Sequence, residues 1–277
     1  MTDSTSRQQH VTSADGTTIA VTVTGQGRPL VVSPGSLSTA QDWQALADVL
    51  APHVTTYAVD RRGHGASGDN ADFSIEREQQ DIAAVLELAG PDAILLGHSY
   101  GGVVTLGLAL KHPPAAFILY EPPVPVGGPV AGEALAPFES AVHDGDLDGA
   151  LTLGLRHFVK LPEPVIELIR STPLWAPRAA LTPTWPRELR GIDAFGADLT
   201  RFGALKSPTL LITGELSPPW LVEASQQLQR AIPKSRLVVI SGQAHDAHLG
   251  DPEGVASTLL TFVGELAGSP DQLVRGG

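Results

Sequence analysis

The sequence predicts an α/β fold: a mostly parallel sheet with helices on both faces, broken once by a helical insertion. Three observations carry this. Short apolar or β-branched runs alternate with helical periodicity from residue 29 to residue 120. The alternation then stops over residues 122–205, a Pro-rich stretch with helical patches and no strand-like run. It resumes over residues 208–266 with two further strand–helix pairs.

The elements follow in order. Residues 9–13 and 17–24 alternate or are β-branched, and Ala14-Asp15-Gly16 supplies turn residues between them, so they read as a β-hairpin. Residues 29–33 form an apolar strand that runs into Pro34-Gly35-Ser36. A helix is expected over 40–50 and a strand over 54–59. Residues 75–88 place Ile82, Val85, Leu86 and Leu88 on or near one helical face. A strand at 93–96, a small-residue helix at 101–110 and a strand at 116–120 complete the first run. Inside the insertion, helical patches cover 133–143, 147–158 and 163–170. After it come a strand at 208–213, a helix at 220–232, a strand at 236–240 and a helix at 255–266. The expected division is a core of residues 1–121 and 206–277 and a cap of residues 122–205, with ligands at the carboxyl ends of the strands.

Chemistry concentrates at Gly97-His98-Ser99-Tyr100-Gly101. A Gly-x-Ser-x-Gly match is weak alone, but here a strand precedes it and a helix follows. The two glycines lack Cβ, so the chain can turn sharply and expose the Ser99 hydroxyl above the sheet. A negative charge developing on a substrate oxygen would then meet the Tyr100 backbone N–H and the positive end of the helix.

At this point the chain resembles the α/β-hydrolase superfamily, in particular its small cap-bearing serine hydrolases. Asp60-Arg61-Arg62-Gly63-His64-Gly65-Ala66-Ser67-Gly68 is similar to the Asp-x-Arg-Gly-x-Gly-x-Ser segment of those enzymes and lies where they carry it. The resemblance runs over residues 9–266 and is least informative in the insertion. It implies an eight-stranded, mostly parallel sheet with a helical cap inserted after the sixth strand. It also implies a second oxyanion donor in the loop Ser33-Pro34-Gly35-Ser36-Leu37, where the backbone N–H of Ser36 takes that role although Pro34 replaces the usual His.

A serine hydroxyl needs a base. The chain has nine histidines, and His245, directly after the last strand, occupies the loop where the family places its catalytic histidine. His248 is its local competitor, whereas His64 and His98 read as structural. The acid departs from the family pattern, because the usual Asp position after the seventh strand is Ser217. Glu121, immediately after the 116–120 strand, is the first choice, and some haloalkane dehalogenases resemble this in drawing their acid from the end of that strand. Glu215 is the rival, and a Ser–His dyad is the third reading.

These residues point to a serine hydrolase that cleaves a small carboxylic ester, lactone or thioester through an acyl-enzyme on Ser99, with His245 as general base. Cofactor-free haloperoxidase-like chemistry belongs to the same machinery. The alternative is a non-hydrolytic or carbon–carbon-bond-acting member of the fold: a lyase, a cyclase, a C–C hydrolase or a ligand receptor. Haloalkane dehalogenation is disfavoured because it needs an Asp where Ser99 stands. No Gly-Lys-Ser/Thr follows the glycine-rich turns, which removes a nucleotide reading. Aromatics Phe138, Phe158, Trp175, Trp185 and Trp220 fit either an apolar pocket or local core. For Arg156, His157 and Lys160, substrate contact and a solvated helix face fit equally well.

Composition sets outer bounds. Apolar residues make up 42% and charged residues 17% of 277, a globular profile. The net charge of -12 argues against nucleic acid or an anionic membrane surface as partner. There are no cysteines, so thiolate catalysis and zinc–sulfur sites are excluded. No cofactor or metal is expected. The expected partner is a small-molecule substrate, and the expected setting is the cytoplasm, as a monomer or homodimer with no signal peptide and no membrane span.

Overall fold

The apolar runs identified above assemble into one eight-stranded sheet in a computed structural model that describes residues 6–268. The strands are β1 (Arg7–Thr12), β2 (Thr18–Gly25), β3 (Arg28–Ser33), β4 (Val54–Val59), β5 (Ile94–His98), β6 (Ala116–Tyr120), β7 (Thr209–Gly214) and β8 (Ser235–Ile240). Their spatial order is β1-β2-β4-β3-β5-β6-β7-β8. β2 runs antiparallel to both β1 and β4, and every pairing from β4 across to β8 is parallel.

Burial explains the sequence pattern. Every residue of β5, β6 and β7 is buried, as a parallel strand covered on both faces requires, so these strands read as continuous apolar runs. The outermost β1 alternates between exposed and half-buried positions instead. Successive residues feed opposite layers. Leu95, Phe117 and Leu211 pack on one face against Ile82 and Val85 of α2 (Ile75–Ala89), Val103 and Leu106 of α3 (Tyr100–Lys111) and Leu228 of α9 (Pro219–Ala231). Ile94, Ile118 and Leu210 pack on the other against Leu46 and Leu50 of α1 (Gln44–Leu50) and Val255, Leu259 and Phe262 of α11 (Pro252–Gly268). Residues 40–43, expected to open a helix, form a 3-10 turn before α1. There the Asp42 carboxylate accepts the Thr39 N–H at 2.8 Å.

Between β6 and β7 the chain forms α4 (Leu135–His143), α5 (Leu147–His157), α6 (Glu163–Arg170), α7 (Trp175–Ala180) and α8 (Trp185–Phe195). Helices α7 and α8 were not resolved by periodicity, because prolines at 177 and 186 interrupt the pattern while sitting in first turns that tolerate them. The segment has its own aromatic nucleus. Phe138, Phe158 and Trp185 meet edge to face with centroids 5.1–5.5 Å apart. Ion pairs then tie α8 to the sheet-bearing part, from Arg187 to Asp69 at 2.9 Å and from Glu188 to Arg61 at 2.8 Å.

Candidate active site

Ser99 is the single residue between β5 and α3, and it holds φ 51° and ψ -127°. A non-glycine residue at positive φ is strained, at a cost of roughly 1–3 kcal/mol. Local packing enforces the turn. A Cβ on Gly101 would lie 2.2 Å from the Ser33 carbonyl, so only glycine lets α3 approach β3 this closely. The Ser99 N–H donates to the Tyr120 carbonyl at 2.9 Å, tying the turn to the end of β6.

Glu121 comes next after Tyr120, also at positive φ (45°), and is fully buried. Its Oε1 accepts the Gly214 N–H at 2.8 Å, and its Oε2 lies 2.6 Å from His245 Nδ1. Burial works against a charged His245 ring, but the hydrogen bond and charge of Glu121 outweigh it and raise the His245 pKa above 6.5. Glu215 is engaged elsewhere, accepting from the Ser241 hydroxyl and the Gly242 N–H, each at 2.7 Å, at the exposed surface. The structure thus brings Glu121 to the histidine and turns Glu215 away from it.

The His245 loop, between β8 and the short α10 (Ala247–Gly250), is clamped from below. The Tyr120 hydroxyl donates to the Ala244 carbonyl at 2.8 Å and accepts the Ala247 N–H at 2.9 Å. His98 Nε2 lies 3.0 Å from the His245 carbonyl. Burial, reinforced by His245 and His248, pushes the His98 pKa well below 6.5. The neutral ring therefore keeps its proton on Nε2, the tautomer that a carbonyl partner demands. His248 is fully buried and stacks on Trp43 with centroids 4.2 Å apart. Burial lowers its pKa to about 4, so it too is neutral.

Ser99, His245, His98, Gly35 and Ser36 line a cavity of about 210 Å³. Its remaining wall is mostly apolar and comes largely from the α5–α8 segment, including Leu155, Phe158, Ile169 and Trp185, with Trp220 from α9. Phe138 backs the wall through Phe158 and Trp185. Arg156 pairs with Glu163 instead, and Lys160 lies over the Trp220 ring at 5.2 Å. Among the described residues one cation lines the cavity, Arg178 of α7, paired with Asp246 at 2.9 Å. Burial opposes the Asp246 charge, but the Arg178 guanidinium beside it holds its carboxyl well below the usual carboxylate range.

His98, Asp246 and His248 are the one group among the described residues with metal-ligand character, their donor atoms lying within 4.8 Å of one another. The set suits a cation poorly, because Arg178 already neutralises Asp246, the only anionic member. Beneath Ser36, a buried network of Arg61, His64, Glu78 and Glu188 reaches the loop carbonyls. Tyr120, Arg178, Glu78 and Glu188 escaped the sequence reading. Tyr120 alone had a local signal, as a phenol at the end of a buried strand.

This site and sheet define a class. A family profile described as the Alpha/beta hydrolase family matches residues 30–258, and the chain belongs to that family and is an enzyme of the hydrolase class. It is 26% identical over 250 residues to a pimeloyl-[acyl-carrier protein] methyl ester esterase of Vibrio vulnificus (strain YJ016), covering 87% of this chain and 96% of the relative. Among solved structures, an alpha/beta hydrolase from Sphaerobacter thermophilus DSM 20745 superposes with TM-score 0.85 at 32% identity, over 92% of this chain and 100% of the other. The esterase RhEst1 from Rhodococcus sp. ECU1013 superposes with TM-score 0.74 at 28% identity, over 94% and 99%. No helix among the described residues is long and apolar enough to cross a membrane.

Proposed function

We propose that this enzyme hydrolyses a small carboxylic ester, lactone or thioester through an acyl-enzyme on Ser99, with His245 as general base and Glu121 as its acid partner. Residues 122–205 act as a helical cap over a core of residues 1–121 and 206–277. The 2.6 Å contact between His245 Nδ1 and Glu121 Oε2 carries the reading. A carboxylate on Nδ1 keeps that proton in place and leaves Nε2 with a lone pair for the serine proton.

In the reaction, Ser99 Oγ attacks the substrate carbonyl carbon as its proton passes to His245 Nε2. The carbonyl π electrons move onto oxygen, where the Ser36 and Tyr100 backbone N–H groups stabilise the charge. Collapse expels the alcohol or thiol, which takes the proton from His245. Water then repeats the attack on the acyl-enzyme and releases the acid. A cavity of about 210 Å³ with an apolar wall suits a short acyl or alcohol group.

The test uses an activated short-chain aryl ester and a fluorophosphonate probe. Wild type turns over the ester and takes up one probe per chain, and Ser99→Ala loses both. Wild type with neither turnover nor labelling overturns the reading.

A further inference from the structure

The reaction just described leaves the buried charges beneath the Gly35–Ser36 loop unused. Arg61 is 2% exposed, and both terminal nitrogens of its guanidinium are engaged, while Nε is buried without a partner. Nη1 donates to Glu78 of α2 at 2.7 Å. Nη2 donates to Glu188 of α8 at 2.8 Å and to the Gly35 carbonyl at 3.0 Å, and lies 3.3 Å from the Ser36 carbonyl. His64 Nε2 is 2.8 Å from that same Ser36 carbonyl. The second oxygen of Glu78 accepts the Tyr100 hydroxyl, and the Arg61 guanidinium lies 4.8 Å from the Tyr100 ring centroid. Burying five ionisable groups together is a poor way to gain stability compared with packing apolar side chains, so their arrangement calls for another explanation.

Peptide geometry supplies one. No peptide bond among the described residues is cis. In a trans unit the C=O and N–H point in opposite directions. The Gly35 carbonyl aimed at Arg61 therefore turns the Ser36 N–H away from the network. Gly35 and Ser36 line the catalytic cavity on that other side, with a Cβ built on Gly35 only 2.9 Å from the Ser99 Cβ.

We propose that Arg61 is the positioning residue of the oxyanion hole. It holds the Gly35 and Ser36 carbonyls so that the Ser36 N–H faces the cavity, while Glu78 fixes Tyr100, the other donor, to the same guanidinium. Glu188 carries the arrangement into α8, so the placement of the donors depends on the docking of the helical segment. This inference rests on the reading of Ser36 and Tyr100 as oxyanion donors.

Arg61→Lys separates positioning from charge balance, because lysine keeps the charge and loses the planar fork. The variant is compared with wild type by thermal melting, by kcat and KM, and by inhibition with two ligands. One is a short-chain trifluoromethyl ketone, whose tetrahedral adduct on Ser99 places an oxyanion in the hole. The other is a non-cleavable ether isostere of the substrate. The expected result is a kcat lowered about 10- to 100-fold with the ketone weakened by the same factor. KM and ether inhibition stay within about twofold. An unchanged kcat in a folded Arg61→Lys overturns the proposal, as does an ether weakened as much as the ketone.

If Arg61→Lys does not fold, Glu188→Gln takes its place, since it keeps an acceptor for Nη2 and removes only charge. A smaller kcat loss with the same ketone-over-ether pattern is expected, and wild-type kinetics overturn the proposal. Ser36→Pro, which deletes the N–H itself, tests the underlying reading. A fully active Ser36→Pro removes Ser36 as a donor. An inactive but folded Ser36→Pro beside a wild-type Arg61→Lys leaves the hole standing and removes only the role of Arg61.

Discussion

Replacing Glu121 with glutamine keeps the shape of the side chain and removes its charge. The amide oxygen still accepts the Gly214 N–H, a bond of 2.8 Å in the structure. The NH₂ group then faces His245 Nδ1 where a carboxylate oxygen stood at 2.6 Å. To meet it, the imidazole presents a lone pair at Nδ1 and carries its proton on Nε2, where it cannot accept the serine proton. Loss of the charge-assisted hydrogen bond alone is worth roughly 1.5–3 kcal/mol. That corresponds to about one to two decades in rate, at about 1.36 kcal/mol per decade. Tautomer inversion in a serine–histidine–carboxylate site takes the loss to about 10⁴-fold. Glu121→Gln is therefore expected to lower kcat by about 10²–10⁴-fold with an intact thermal melt, read with an activated aryl ester from pH 5 to 9. Removal of the carboxylate that raises the His245 pKa also moves the acid limb of the residual activity to lower pH. A loss below about tenfold, or an acid limb that stays in place, refutes Glu121 as the acid partner.

For wild type, kcat/KM rises with pH as His245 loses its proton, with a midpoint above 6.5 because the folded-state pKa is raised. A midpoint below 6.5 contradicts the Glu121 pairing. Tyr120→Phe leaves the Ala244 carbonyl and the Ala247 N–H with only their longer mutual bond of 3.2 Å, and is expected to cost about 1 kcal/mol in denaturant titration. It also lowers kcat about tenfold with little change in KM, through looser placement of His245. Gly35→Ala puts a methyl 2.9 Å from the Ser99 Cβ, and neither atom sits on a flexible arm. We expect kcat/KM to fall by about 100-fold or more, and a fully active Gly35→Ala shows that the loop yields.

The parallel sheet was legible because buried strands must be continuous apolar runs, and β5, β6 and β7 are buried throughout. Ser99 was legible because its turn needs small residues at fixed local positions. Glu121 and Glu215 could not be ranked decisively from sequence, since each follows a strand of the same sheet. Their separation is tertiary: the Gly214 N–H and His245 take the first, and the β8 turn takes the second. The network around Arg61 was beyond local reading. Its partner Glu188 lies 127 residues away, in a helix whose first-turn proline hid its periodicity. Arg178 was hidden for the same reason, in a short helix with a proline in its first turn.

The pairing of β5 with β6 sets His98 opposite Tyr120, so Ser99 and Glu121 are the next residues along two adjacent strands. The hydrogen bond from Ser99 to Tyr120 closes that last rung at 2.9 Å. On the proposed assignment, nucleophile and acid therefore ride on one rung of the ladder and move as a unit, leaving His245 as the member delivered by a separate loop. The turn after β7, where Ser217 stands, is then released from the chemistry. That turn can drift in sequence, or be redesigned, without disturbing the serine and its acid, whereas a one-residue slip between β5 and β6 would disable both together.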